Sequence, residues 1–366
     1  MFPPLLNKAV SAMRLGQRRR RRLTGKPINL ALQGGGAHGA FTWGVLDQIL
    51  ADGRLRIEGI SGTSAGAINA VVLADGLVRG GAQEARSRLA EFWRAASFGG
   101  NLSGLQRGVV ERLFSLVPRA TAAVPPWLGA LSELWSPYEL NPLNINPLKQ
   151  LIEHFVDFDL IQTAFDGHLF ICATNVRSGE PRVFSGSEIT AEAVMASACL
   201  PILFHAVEID GESYWDGGYS ANPALLPLLR AATAEDLLIV QINPRRREKV
   251  PVSARDIVGR AHEITFNAAQ SAELRAIDFI NQMIDQGRLP HGAGSRRMRI
   301  RLHRIVMTDA GETFDPQSRL NNDFEFFARL RQLGQSAARR FLEMHFNDIG
   351  ARSTIDDLTE GRAQVA

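Results

Sequence analysis

Between residues 28 and 79 the chain twice passes from an apolar strand pattern through a glycine turn into a helical pattern. Residues 28–33 (INLALQ) read as a short buried strand, 34–39 (GGGAHG) as a glycine loop and 40–52 as a helix. Residues 57–61 (IEGIS) read as a second strand, 62–66 (GTSAG) as a sharp turn and 67–79 as a helix. Two successive units of this kind specify a parallel sheet covered by helices, an α/β fold.

Further elements follow the same logic. A helix is predicted near 145–155, and a hairpin from 168–175 and 181–185, closed at Arg177-Ser178-Gly179-Glu180. A short helix over 190–199 must stop before Pro201. Residues 203–209 and 213–216 read as a second hairpin turned at Asp210-Gly211. Helical patterns occupy 224–232, 254–286 and 321–346, and strand patterns 236–242 and 298–306. Residues 98–143 are an irregular excursion rich in Pro and Gly that also carries Trp127 and Trp135; it reads as a lid or as an insertion packed on the body. The expected organisation is a flexible basic segment over 1–26, one domain over 27–350 and a loose tail over 351–366.

The 366 residues are 45% hydrophobic and 22% charged, enough apolar material for a sizeable core. The net charge of +3 is unevenly placed, with a basic run at Arg18–Arg22 and further clusters at 245–249 and 296–301. Such patches attract phosphate on nucleic acids or anionic lipids, or simply form a solvated face. No helix-turn-helix or zinc pattern accompanies them, so nucleic acid is not an expected partner. Cys172 and Cys199 stand in apolar surroundings and read as buried reduced thiols, which suits a cytoplasmic location. No metal-ligand motif, secretory signal pattern or membrane-length apolar run is found. No cofactor is expected.

Three short motifs carry chemistry. Gly62-Thr63-Ser64-Ala65-Gly66 is a G-x-S-x-G pattern at a strand-to-helix junction. That setting exposes Ser64 on a strained turn and aims a helix N-terminus at it. Alone, it reads equally as a serine helix cap. Gly34, Gly35 and Gly36 leave their amide hydrogens open to a developing oxyanion. The same loop matches the dinucleotide fingerprint through Gly34, Gly36 and Gly39, but no acidic residue ends the second strand, and Glu58 stands at its start. Asp216-Gly217-Gly218 places a carboxylate at a strand end where glycines permit close approach of another backbone, or it is a simple turn. Together the three supply donor, nucleophile and base, the minimum for acyl transfer.

The sequence resembles the patatin-like phospholipase family. Its glycine loop, GTSAG turn and DGG segment stand in that family's order, joined by an Ala196-Ser197 segment followed by Pro201, and the resemblance covers roughly residues 28–243. It implies a three-layer patatin-like fold and calcium-independent hydrolysis of phospholipids or other acyl lipids. It also implies a dyad of Ser64 and Asp216, with Gly34–Gly36 as oxyanion hole and Gly62, Gly66, Gly217 and Gly218 as motif support. Where the family usually has Arg or Lys in the glycine loop, this chain has His38. That position is either a titratable charge or a structural helix start. Membrane contact through Arg18–Arg22 is an expectation, and nothing in the sequence specifies an oligomeric state. Two rival functions follow: a Ser-Asp-His triad, for which His291 is the loop-borne candidate among His262, His291, His303 and His345, and a lipid- or phosphate-binding module whose chemistry has lapsed.

Overall fold

The computed structural model describes residues 25–97, 136–144, 146–201, 203–247, 249–288, 299–307, 314, 318–319 and 321–355. The basic run at Arg18–Arg22, the tryptophans of the 98–143 excursion and His291 lie outside them.

The first two units form as expected. Strand β1 (Lys26–Leu32) leads through the glycine loop into helix α1 (Gly39–Asp52). Strand β2 (Leu55–Thr63) leads through the sharp turn into α2 (Ala65–Gly80). Next come α3 (Ala82–Ala95), the short α4 (Pro137–Leu140), α5 (Pro147–Phe155) and α6 (Phe158–Ala164). The hairpin of β3 (His168–Asn175) and β4 (Pro181–Ser185) is followed by α7 (Ala191–Ser197). A second hairpin joins β5 (Val207–Ile209) and β6 (Glu212–Asp216). Asp210 and Gly211 between them have φ of 52° and 78°, the left-handed pair that a two-residue hairpin turn demands. The chain closes with α8 (Leu226–Ala231), β7 (Asp236–Gln241), α9 (Ala254–Asp285), β8 (Arg301–Val306) and α10 (Phe324–His345).

One eight-stranded sheet results, in the order β5-β6-β3-β2-β1-β7-β8, with β4 paired to β3. The run β3-β2-β1-β7-β8 is parallel, and β4, β5 and β6 pair antiparallel. The central strands are apolar on both faces, and the alternation divides them between two cores. Leu30, Leu32, Leu238 and Val240 pack with α1, α2, α3 and α10 on one face. Ala31, Leu237 and Ile239 pack with residues of α8 and α9 on the other. The architecture is therefore α/β in three layers, with helices on both faces of a mostly parallel sheet.

Helix α1 is apolar nearly all round because it is sandwiched between the sheet and α10. A Cβ on Gly44 would overlap the Arg331 backbone and one on Gly334 the Phe41 carbonyl, so the two helices touch backbone to backbone. At their edge the buried Asp47 accepts from Arg331 at 2.8 Å and Gln335 at 2.6 Å. The tail expected to be loose from residue 351 is fastened as far as Ile355. Thr354 N donates to the Leu302 carbonyl at 2.9 Å, and Leu302 N donates to Ser353 Oγ at 3.1 Å, so this segment continues the hydrogen bonding of β8.

Candidate active site

Ser64 stands between β2 and α2 with φ 56° and ψ −124°, a conformation that non-glycine residues adopt at a cost. Its side chain makes no helix-capping hydrogen bond, which removes the simple cap reading. The turn is tight for a steric reason. A Cβ on Gly62 would lie 2.5 Å from the Gly66 carbonyl oxygen, and one on Gly66 would overlap the Leu32 carbonyl. The Ser64 amide donates to Ser197 Oγ at 2.9 Å, so the last residue of α7 clamps the turn. Thr63 Oγ1 donates to the Ala221 carbonyl at 2.9 Å, tying the end of β2 to the segment after Asp216.

Strand register brings Asp216 to this turn. Residues 168–172 of β3 pair with β2, 170–174 with β4 and 173–175 with β6. Because β4 overlaps both of the others along β3, β2 and β6 must share the opposite edge. They meet there end to end: Thr63 pairs with Cys172 and Asp216 with Ala173. The contact is close enough that a Cβ on Gly217 would overlap the Cys172 carbonyl and lie 3.0 Å from Thr63 Cγ2. Asp216 N donates to the Cys199 carbonyl at 2.8 Å, and Thr174 Oγ1 donates to the Asp216 carbonyl at 2.8 Å.

The Asp216 carboxyl is 1% exposed. Its Oδ1 accepts from Gly218 N at 2.7 Å, whereas among the described residues Oδ2 has no partner that meets full hydrogen-bond geometry. Burial pushes its pKa from 3.8 up to about 6, while the Gly218 amide and then the nearby Ser64 hydroxyl oppose the rise. Both cysteines are buried free thiols raised chiefly by burial, Cys199 to about 12.

The glycine loop lies against the same turn, since a Cβ on Gly34 would sit 2.7 Å from Ser64 Cβ. Its three amides are not equivalent. The Gly34 N–H, expected as an oxyanion donor, is taken up by Asn222 Oδ1 at 2.7 Å, and the Gly34 carbonyl accepts from Asn243 Nδ2 at 2.9 Å. Gly34 is thus held as a strut, and Gly35 and Gly36 remain as candidates. Gly36 has φ 58° and, with Ala37 and Ser64, lines a cavity of about 200 Å³. Ile68, Phe92, Trp93, Leu151, Leu203 and Phe327 make most of its wall apolar. Besides Ser64, its polar members among the described residues are Asn146, Asn322 and Arg319. Sequence reasoning misses this wall because α2, α3, α5, the segment after α7 and α10 come from distant parts of the chain. Arg319 and Asn222 carry no local motif either.

The family model described as patatin-like phospholipase matches residues 30–229, more than half of the chain. The chain belongs to the patatin-like phospholipase family. Similar solved structures include VipD from Legionella pneumophila, at 18% identity and a TM-score of 0.41, over 88% of this chain and 67% of that one. Human GIVD cytosolic phospholipase A2 in complex with methyl gamma-linolenyl fluorophosphonate follows at 13% and 0.44, over 90% and 59%. The ExoU–SpcU complex from Pseudomonas aeruginosa follows at 15% and 0.30, over 88% and 61%. No curated protein sequence matches the chain.

In this patatin-like chain His38 is a structural residue. It is 3% exposed, its Nε2 lies 2.7 Å from Ser318 Oγ, and its ring packs against Phe314 and Phe326. Burial, and after it the nearby Arg319 charge, depress its pKa to about 3, so it is neutral at physiological pH. Among the described residues no histidine lines the cavity at Ser64. His303 is buried against Asp236 at 2.9 Å, His345 contacts Asp348 at 2.9 Å, and His262 is exposed on α9. The later basic clusters are partly paired: Arg247 with Glu263 at 2.7 Å, Arg299 with Asp285 at 2.9 Å and Arg301 with Asp236 at 2.8 Å. Among the described residues no group of three His, Cys, Asp or Glu is placed to hold a metal ion, and no helix is long and apolar enough to cross a membrane.

Proposed function

We propose that the protein cleaves carboxylic esters of phospholipids or related acyl lipids through a Ser64–Asp216 dyad and an acyl-enzyme intermediate. The observation that carries this reading is the end-to-end meeting of β2 and β6, which sets a strained serine beside a buried carboxyl. Ser64 Oγ attacks the ester carbonyl as its proton passes to Asp216. The amides of Gly35 and Gly36 stabilise the oxyanion, aided by the N-terminus of α2. Asp216 returns the proton to the leaving alkoxide, then takes one from the water that releases the fatty acid and passes it back to Ser64 Oγ. The apolar cavity accepts the acyl chain.

An isolated aspartate is a weak base for an alcohol, and the buried position of Asp216 makes it a stronger one. With a pKa near 6 it is ionised, and active, above that pH. Accordingly kcat/KM is expected to rise about tenfold per pH unit below about 6 and to level off above it. A profile that is flat from pH 5 to pH 8 would rule out Asp216 as the base.

The function itself is tested by incubating the protein with phospholipid vesicles and a chelator, and with a fluorophosphonate probe. Fatty acid release and a covalent adduct on Ser64, located by mass spectrometry, are expected. A chain that neither releases fatty acid nor takes up the probe is a binding module instead.

A further inference from the structure

Arg319 is a charged side chain in a costly position. It lies beyond the 30–229 family match and lines the apolar cavity at Ser64. Its side chain is only 15% exposed. Its carbonyl presses on the glycine loop so closely that a Cβ on Gly36 would overlap it. Charge compensation is thin. One guanidinium nitrogen donates to the neutral Asn243 Oδ1 at 2.8 Å, and among the described residues Nε has no hydrogen-bond partner. The nearest carboxylate among the described residues, Glu263, is 3.6 Å away, and Arg247 already holds it in two bonds of 2.9 and 2.7 Å, with Arg260 at 3.2 Å. Burial accordingly depresses the Arg319 pKa. A guanidinium taken out of water with such weak pairing is costly. An anionic group entering the cavity would offset that cost.

The departure at His38 sharpens the point. That imidazole is neutral and turned into a packed aromatic cluster, so it brings no positive charge to the cavity. Arg319, whose carbonyl abuts the same glycine loop, is the positively charged residue among the described lining of that cavity. In a glycerophospholipid one glycerol unit separates the acyl ester from the phosphodiester, so both can sit in a single cavity.

Resting on the proposed acyl hydrolase reading, we infer that Arg319 is a specificity-determining residue that binds the phosphodiester of a glycerophospholipid whose acyl ester lies at Ser64. Arginine suits the task because its planar fork matches two phosphate oxygens. Its place behind the glycine loop makes recognition of the headgroup and seating of the ester one event.

The test uses the full chain and the variants Arg319→Gln and Arg319→Lys, with phosphatidylglycerol and diacylglycerol of matched acyl chains in the same mixed micelles. In Arg319→Gln the ratio of kcat/KM for the phospholipid to that for the diacylglycerol is expected to fall about tenfold to a hundredfold, mainly through KM. Arg319→Lys, which keeps the charge but loses the planar fork, should lose less of the ratio than Arg319→Gln. Equal losses on both esters would mean that Arg319 only props the glycine loop, and would overturn the inference. So would an unchanged ratio accompanied by inhibition by inorganic phosphate, which would make this a site for free phosphate. A melting-temperature arm stands apart from catalysis. Glycerol 3-phosphate should raise Tm of the wild type and not of Arg319→Gln; equal shifts, or none in either, count against the site. If the wild type hydrolyses neither ester while the Tm difference is present, the hydrolase reading fails and the anion site remains.

Discussion

Ser64→Ala is expected to lower kcat/KM for phospholipid by at least about a thousandfold, with the fold intact. In the proposed mechanism the hydroxyl forms the acyl-enzyme, and what remains without it would come from the oxyanion amides and substrate binding. Alanine keeps Cβ and the strained φ of 56°, and the clamp from the Ser64 amide to Ser197 Oγ uses the backbone alone. Little packing is therefore lost. Asp216→Asn should fall by a comparable factor, since an amide can accept from Gly218 N but cannot take the serine proton. The two losses should not add, because the residues act as one unit. Their stability effects differ. The folded-state pKa of Asp216 is raised from 3.8 to about 6, so the folded protein binds a proton that the unfolded chain has released. Stability due to this group is full below about pH 4 and declines as pH climbs to about 6. Asp216→Asn removes that penalty, so its Tm should exceed that of the wild type at pH 8 and converge on it at pH 4. Release of fatty acid and calorimetry measure the two effects; a Ser64→Ala protein of wild-type activity would remove Ser64 as nucleophile.

Gly66→Ala should be the most damaging small substitution in the site. The added Cβ would overlap the Leu32 carbonyl oxygen and lie 2.8 Å from that of Gln33, both backbone atoms at the end of β1. Backbone in the middle of a paired sheet cannot yield as a side-chain tip can, so β1 and α2 must move apart. We expect a loss of about 3 kcal/mol or more in urea unfolding. Activity should fall beyond what the lost stability explains, because the displaced strand carries the glycine loop that abuts Ser64. Gly53→Ala is the control. Gly53 ends α1 with φ 72° and has no atom within 4 Å of the added Cβ, so only backbone strain of about 1 kcal/mol is at stake. Similar losses in the two variants would show that close approach at Gly66 is not what shapes the turn.

How much of this was legible in the chain depends on the range of the forces involved. The alternation of 28–33 and the glycines that follow mark β1 and its loop without reference to anything distant. Asp210-Gly211 announces its hairpin through left-handed backbone preference alone. Helix α3 shows a limit of a different kind. The sequence reading assigns nothing to it, although Ala85, Leu89, Phe92 and Trp93 stand at helical spacing and are buried. Its many polar residues mask that stripe, which gains meaning only when Phe92 and Trp93 form the cavity wall. The glycine loop was readable as a turn, but the bond that Asn222 makes to the Gly34 amide joins residues 188 positions apart and leaves no local trace.

The amino-acid sequence by itself determined the two strand–turn–helix units, the residue types at the serine and aspartate turns, and the covering of the sheet on both faces. These are set by backbone preference and hydrophobic period, which act over a few residues. Tertiary structure alone decided that β2 and β6 meet along one edge of β3, that Asp216 is buried deeply enough to shift its pKa, that His38 is neutral, and that Arg319 lines the cavity. Desolvation and charge pairing depend on everything within a few ångströms, whatever its distance along the chain.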